Sequence, residues 1–296
     1  MHFSIKKSLV FNLFGATFLF CACRPAPTPY KIPPYATQES LLKNEELLSP
    51  LPTAPMEQIT PIEQTPPNPT ENIWQVDDVD ISEIDQSKKL IAFTFDDAPK
   101  GSLENLLAIF AAFNDQNSDC KATATLFCNG IFIDQSTMPS LHTAWAMQFE
   151  LGNHTQSHTD LTKLSKKALQ EEITKTDTLL HQVDGKKFHL LRAPYGKLNK
   201  QVKALASVPI IDWTIDTLDW KGTPSEAIYN EVMTNKADGS IVLFHDGYPN
   251  TMSALKRLLP DLKKEGYQVV SVSKMAKAHA CPLRNGSVYI RARKQK

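Results

Sequence analysis

The chain has no charge imbalance: 32 Lys and Arg stand against 32 Asp and Glu, for a formal net charge of +0. With neither a basic stripe nor an acidic block along its length, it offers nucleic acid no electrostatic footprint and carries no solvating tail. Cysteine is scarce, five in 296 residues. Beyond Cys21 and Cys23 only Cys120, Cys128 and Cys281 remain, without the spacing of a metal site. That odd number leaves a Cys120–Cys128 or Cys128–Cys281 bridge open. It equally allows Cys128, which lies in an apolar run, to be a small buried hydrophobe. There is no internal repeat, so each motif occurs once.

What is present changes character along the chain. Lys6 and Lys7 precede an apolar run over 9–22, interrupted by Asn12, Gly15 and Thr17. Such a run is short for crossing a bilayer and reads as a secretory signal over 1–23. It ends in Phe20-Cys21-Ala22-Cys23, which resembles a bacterial lipoprotein cleavage site with Cys23 as the lipidated first residue; simple cleavage or an uncleaved anchor are the alternatives. Each of the three exports the chain, and the first ties it to a membrane. Residues 24–72 hold 12 of the 20 prolines. A segment of this composition buries too little apolar surface to offset its ordering entropy, so 24–80 is expected to be a disordered tether.

From Ile81 apolar runs of strand length alternate with amphipathic stretches of helical length. Strands are expected over 89–95, 122–128, 149–152, 190–193, 209–215, 241–244 and 268–272, with helices over 103–113, 138–147, 165–183, 200–207, 225–235 and 252–264. Seven strands alternating with six helices point to an α/β fold with a parallel sheet, open or closed into a barrel, over 81–275. Residues 276–296 are basic and weakly patterned and read as a C-terminal extension.

The polar residues gather at the ends of those strands. Asp96 and Asp97 end the first, His154 and His158 follow the third, and Arg192 ends the fourth. Asp216 and Asp219 follow the fifth, and His245 with Asp246 ends the sixth. Both barrels and open α/β sheets place their ligands at this end of the strands. His154 and His158 are four apart, a spacing that a helical turn would put on one face. With Asp97 they make two imidazoles and one carboxylate, the donor set of a catalytic site for Zn²⁺ or another divalent first-row ion. Two adjacent carboxylates at the end of an apolar strand need compensation; a metal offsets one and Arg192 the other. His245, between apolar strand residues, is a general acid if Asp219 orients and charges it, and otherwise a core histidine. Trp220 beside Asp219 is a wall that excludes water or a core residue. His142, His181, His189 and His279 belong to no constellation and are expected at the surface.

In order, Thr94-Phe95-Asp96-Asp97-Ala98-Pro99, His154-Thr155-Gln156-Ser157-His158, Arg192-Ala193-Pro194-Tyr195-Gly196, Asp216-Thr217-Leu218-Asp219-Trp220 and Leu243-Phe244-His245-Asp246 resemble the five motifs of the polysaccharide deacetylase (NodB homology) domain, carbohydrate esterase family 4. The resemblance covers about 89–273. It implies a distorted (β/α)7 barrel that removes N-acetyl, sometimes O-acetyl, groups from sugars. It also implies roles: Asp97, His154 and His158 hold the divalent metal, with Zn²⁺ first and Co²⁺, Ni²⁺ or Mn²⁺ as alternatives. Asp96 is the general base, Arg192 holds it, His245 is the general acid and Asp219 orients His245. The Tyr195 backbone N–H supports the oxyanion, and Trp220 and Leu243 line the acetyl pocket.

The expected function is deacetylation of an N-acetylated envelope glycan, peptidoglycan first, with chitin oligomers or O-acetylated xylan as the alternative. One position departs from the family pattern: Ala98 stands where glycine is usual, and glycine there permits φ > 0 or a close backbone approach. A glycan-binding lipoprotein that has lost turnover is the reading that departure supports. A non-haem iron oxygenase shares the two-His, one-carboxylate set, but the alternating strand–helix pattern does not suit it.

Overall fold

The computed structural model describes residues 73–293 apart from 77 and 102; the expected signal segment, Cys23 and the tether up to residue 72 lie outside the described residues. Strand β1 (Lys89–Ala98) is the axis of the sheet. Its side chains alternate as strand geometry requires. Ile91, Phe93 and Phe95 enter one core cluster, shared with the covering helices, while Leu90 and Ala92 enter another. Thr94 and Asp96 continue the second row toward the strand's end.

Strand β2 (Thr125–Cys128) pairs with the second half of β1, and β3 (Glu150–Asn153) extends outward from β2. Residues 210–211 and 215–216 form β4 (Ile210–Ile211) and β5 (Ile215–Asp216). β6 (Ser240–His245) lies along the other edge of β1 and carries β5. β7 (Tyr267–Val270) pairs with the first half of β1, beside β2. These ladders are all parallel, and parallel neighbours require long crossovers. The crossovers are largely helical: α1 (Leu103–Gln116), α2 (Met138–Ala146), α3 (Lys166–Asp184), α4 (Lys200–Leu205), α5 (Ser225–Asn235) and α6 (Pro249–Lys264), with α7 (Val272–Ala278) after β7.

Two expected strands come out differently. Residues 190–193 make only single bridges, from Leu191 to Asn153 and to Ile210. The stretch 209–215 breaks into β4 and β5. The reason is Arg192, whose Nε and Nη2 donate to the carbonyls of Ile211 and Asp212 at 2.9 and 3.2 Å. Those carbonyls serve a side chain instead of a neighbouring strand. β4 and β5 are therefore joined by chain and not by a ladder.

The segment read as an extension is folded against the domain. Leu283 and Ala292 are buried, and β8 (Val288–Tyr289) pairs with β4. At the other end Trp74 N donates to Leu283 O at 2.7 Å. Backbone bonds and a few apolar anchors hold these stretches, so neither shows a periodic face in the sequence. Cys120, Cys128 and Cys281 are free thiols, and the first two are buried.

Candidate active site and metal centre

Asp96 is the last inward residue of β1 and is 4% exposed. Strand alternation would turn Asp97 to the opposite face. It does not turn away, because Asp97 adopts a left-handed backbone with φ 65°, a conformation aspartate tolerates better than most residues. Two consecutive carboxylates thereby reach one rim. Ala98 is not among the left-handed residues, so the alanine carries no such strain and its buried methyl is accommodated.

The histidine pair is not on a helix. His154 directly follows β3, and Thr155 and His158 are left-handed, with φ 70° and 56°. α3 holds this irregular loop in place. Glu172 O accepts from Gln156 N at 2.9 Å, and the Glu172 carboxylate accepts from Ser157 N and Oγ at 2.8 and 2.7 Å. Asn153 Nδ2 donates to Ile173 O and to Asp177 Oδ1, while Asn153 Oδ1 accepts from Thr155 N.

His154 Nδ1 meets Arg192 O at 2.8 Å. A neutral imidazole spends its Nδ1–H on that carbonyl, which leaves the Nε2 lone pair for a ligand. Asp97 Oδ1 lies 4.0 Å from His154 Nε2 and 3.8 Å from His158 Nε2, and the three ligand atoms fall within 4.8 Å of one another. Metal bonds of ~2 Å hold tetrahedral ligands roughly 3.3 Å apart, so an ion would draw this trio together by about 0.5–1.5 Å. Burial, with His154 beside it, lowers the pKa of His158 and favours the neutral ligand form. One carboxylate and two imidazoles suit a divalent first-row ion and leave coordination positions open.

Arg192 is completely buried. Its Nη1 donates to Thr94 Oγ1 at 2.7 Å and to Asp96 Oδ1 at 2.8 Å, and its guanidinium lies over the Phe127 ring at 4.2 Å. Burial pushes the Asp96 pKa up, but Arg192, then His154 and His245, outweigh it and hold the carboxyl below its ordinary range. Asp96 is thus an anion whose second oxygen, Oδ2, stands 3.5 Å from His154 Nε2.

On the other flank, β6 brings Ile241, Leu243 and His245 to the inner face. His245 Nδ1 meets Asp219 Oδ1 at 2.7 Å, and His245 N donates to Asp219 Oδ2 at 2.8 Å. Thr251 Oγ1 and Trp220 N also donate to this buried carboxylate, at 2.6 and 2.9 Å. Burial lowers the His245 pKa, but Asp219 and Asp96 raise it further, and the net shift is upward. Tyr195, with φ 62°, sets its ring edge-on to His158 at 4.7 Å. Trp220 is 49% exposed on the rim and Leu243 is 3% exposed beneath it.

The structure brings together all seven of Asp96, Asp97, His154, His158, Arg192, Asp219 and His245. It also corrects the histidines set aside as surface residues: His189 and His279 are 1% and 4% exposed. His189 lies between Asp177 at 2.9 Å and Asp184 at 3.2 Å. Glu172, Asp177 and Thr251 escaped the sequence reading, which expects His189 at the surface. His189 and Thr251 meet partners from 5 to 32 residues away, and none of these residues carries a local pattern.

Comparison with known proteins follows the same lines. The polysaccharide deacetylase family model matches residues 83–209. The peptidoglycan-N-acetylmuramic acid deacetylase PdaC of Bacillus subtilis is 31% identical over 192 residues, which cover 65% of this chain and 40% of that protein. This chain thus spans two fifths of that relative's length. A peptidoglycan-N-acetylglucosamine deacetylase of Bacillus cereus is 32% identical over 210 residues, covering 65% of this chain and 91% of that protein. The solved structure of the B. subtilis protein superposes with a TM-score of 0.60 at 30% identity, covering 66% of this chain and 93% of the other.

Proposed function

Because the chain belongs to the polysaccharide deacetylase family, we propose that it hydrolyses N-acetyl groups on an envelope glycan, with peptidoglycan N-acetylglucosamine as the first substrate. One observation carries this reading: a three-donor metal set stands beside the buried Asp96–Arg192 pair, and Asp96 is in turn register-paired with His245, which Asp219 holds. Amide hydrolysis needs one group to take a proton from water and another to give one to the departing amine.

When bound at Asp97, His154 and His158, a divalent ion such as Zn²⁺ supplies Lewis acidity, bringing a water's pKa toward ~7 and polarising the acetyl carbonyl. Asp96 takes the water's proton at Oδ2, the oxygen that Arg192 leaves open. Arg192 keeps Asp96 anionic and fixed. His245, across Asp96 from His154, gives its Nε2 proton to the amine nitrogen, and Asp219 keeps that imidazole charged and oriented. The Tyr195 backbone N–H supports the oxyanion, and Trp220 and Leu243 form the wall for the acetyl methyl.

A distorted barrel is the architecture that suits this reading, with the bridges from β3 through Leu191 to β4 as its support. The lipoprotein-type site at Cys23 and the proline-rich stretch after it favour export and a lipid anchor, with the domain tethered beside the wall. The test is acetate and amine release from purified peptidoglycan, chitin oligomers and acetylated xylan. Chelation is expected to abolish release and added Zn²⁺ or Co²⁺ to restore it; full activity in a metal-free sample would overturn the mechanism. The relative rates on the three polymers name the substrate.

A second expectation concerns the acid. His245 acts only when protonated, so turnover falls as pH rises through its pKa, which Asp219 holds up. Asp219→Asn is expected to move the alkaline limb of the kcat profile to lower pH. An unmoved limb would separate Asp219 from proton donation.

A further inference from the structure

Away from the rim, a cavity of about 560 Å³ opens beside the start of β3, within the ~300–1,000 Å³ of small-ligand sites. Its walls include Trp145 in the last turn of α2, Gln148 after it, Glu150 at the head of β3, Asp184 at the end of α3, and Ser273 and Lys274 in α7. β3 runs from this cavity toward His154. Four residues of extended chain, roughly 13 Å, therefore separate it from the metal ligands, at the opposite end of the strand.

The polar groups here are unevenly used. Glu150 Oε2 accepts from Thr125 Oγ1 and Ser273 N, and Asp184 Oδ1 meets His189 Nε2. Ser273 is 3% exposed, and its Oγ, which has no hydrogen-bond partner, is closed off beneath the lining and out of a ligand's reach. Lys274 is 6% exposed and donates from Nζ to Gln148 Oε1 at 2.7 Å; an ammonium has two further protons to give. Trp145 is 37% exposed at the cavity wall, with the Lys186 ammonium over its ring at 5.1 Å, a contact that a stacked ligand would have to share or displace. A ligand that fits presents a flat C–H face to an indole and hydroxyls that both accept and donate. Asp78, Asp80, Glu150 and Asp184 outnumber Lys186 and Lys274 on the lining, which disfavours a polyanion. A sugar ring meets these demands.

We propose that this cavity is a second glycan-binding site, taking one or two sugar residues of the polymer on which the rim acts. The proposal rests on the glycan reading of the rim for its ligand class, but its test does not depend on turnover. Holding one polymer at two points raises retention through effective concentration without any change in chemistry.

The experiment measures retention of the protein on insoluble peptidoglycan and on chitin beads, alongside amine release from soluble chitotetraose. Trp145→Ala is expected to weaken retention at least tenfold and to leave release from chitotetraose within twofold, with Trp145→Phe keeping most of the retention. Retention of Trp145→Ala equal to the unmodified chain overturns the proposal, as does loss of retention accompanied by equal loss of soluble turnover. If Trp145→Ala does not fold, Gln148→Ala is judged by the same criterion. Should the unmodified chain release no amine at all, the deacetylase reading fails, and Trp145-dependent retention still decides the second site.

Discussion

Asp96→Asn is expected to lower kcat by about 10²–10⁴-fold, the usual contribution of a positioned base, while the purified protein keeps its metal content. The two adjacent aspartates make this test sharp. Asp97 faces both imidazoles, whereas Asp96 gives one oxygen to Arg192 at 2.8 Å and turns the other toward the site. Asparagine keeps the shape and can still accept from Arg192 through its amide oxygen, but it has no basicity. Asp97→Asn should produce the opposite pattern, with metal lost and activity following it. Metal analysis of both variants, beside amine release, reads the division of labour. An Asp96→Asn protein that loses its metal, or retains its turnover, would remove Asp96 from the role of base.

The second large effect concerns stability. His189→Leu is expected to destabilise the fold by about 3–5 kcal/mol, because it leaves the buried carboxylates of Asp177 and Asp184 without their cation. Burial alone lowers the pKa of His189, but Asp177 and Asp184 override it and raise the value from 6.5 to about 9. The sign follows from linkage. A group whose folded pKa is raised contributes its full stabilisation below its unfolded pKa, near 6.5, and loses it as pH rises through about 9. The contribution is on the order of 3 kcal/mol. Denaturant unfolding of the unmodified chain should therefore show a decline between these pH values that His189→Leu lacks. Pairing His189→Leu with Asp177→Asn should recover part of the loss. Equal pH profiles for the two proteins would mean that His189 is not charged in the fold.

The candidate site's rim was legible in the sequence because strand ends are. An apolar run that stops at two aspartates, or at His-Asp, marks both the end of a strand and the place where loops converge. Other features were hidden for identifiable reasons. The i, i+4 spacing of His154 and His158 suggests a helical turn, yet the pair comes together through two left-handed residues, which no periodicity reports. The break between β4 and β5 arises from Arg192, whose guanidinium occupies two carbonyls of that stretch. His189 looked solitary because its partners are 12 and 5 residues away on α3. Burial gives them their importance, and burial is not written in local order.

The hold of α3 on the histidine loop divides the candidate metal centre between the central strand and a helix-supported loop. Asp96 and Asp97 belong to β1, flanked by strands on both edges, and share its lifetime. His154 and His158 owe their backbone shape to contacts with α3. An ion spanning Asp97 and the two histidines would rivet that helix to the sheet, so part of its binding energy would go into docking α3. Loading the site should then slow amide exchange along a helix that contributes no ligand. Loosening α3 should release the ion while the two carboxylates stay in place.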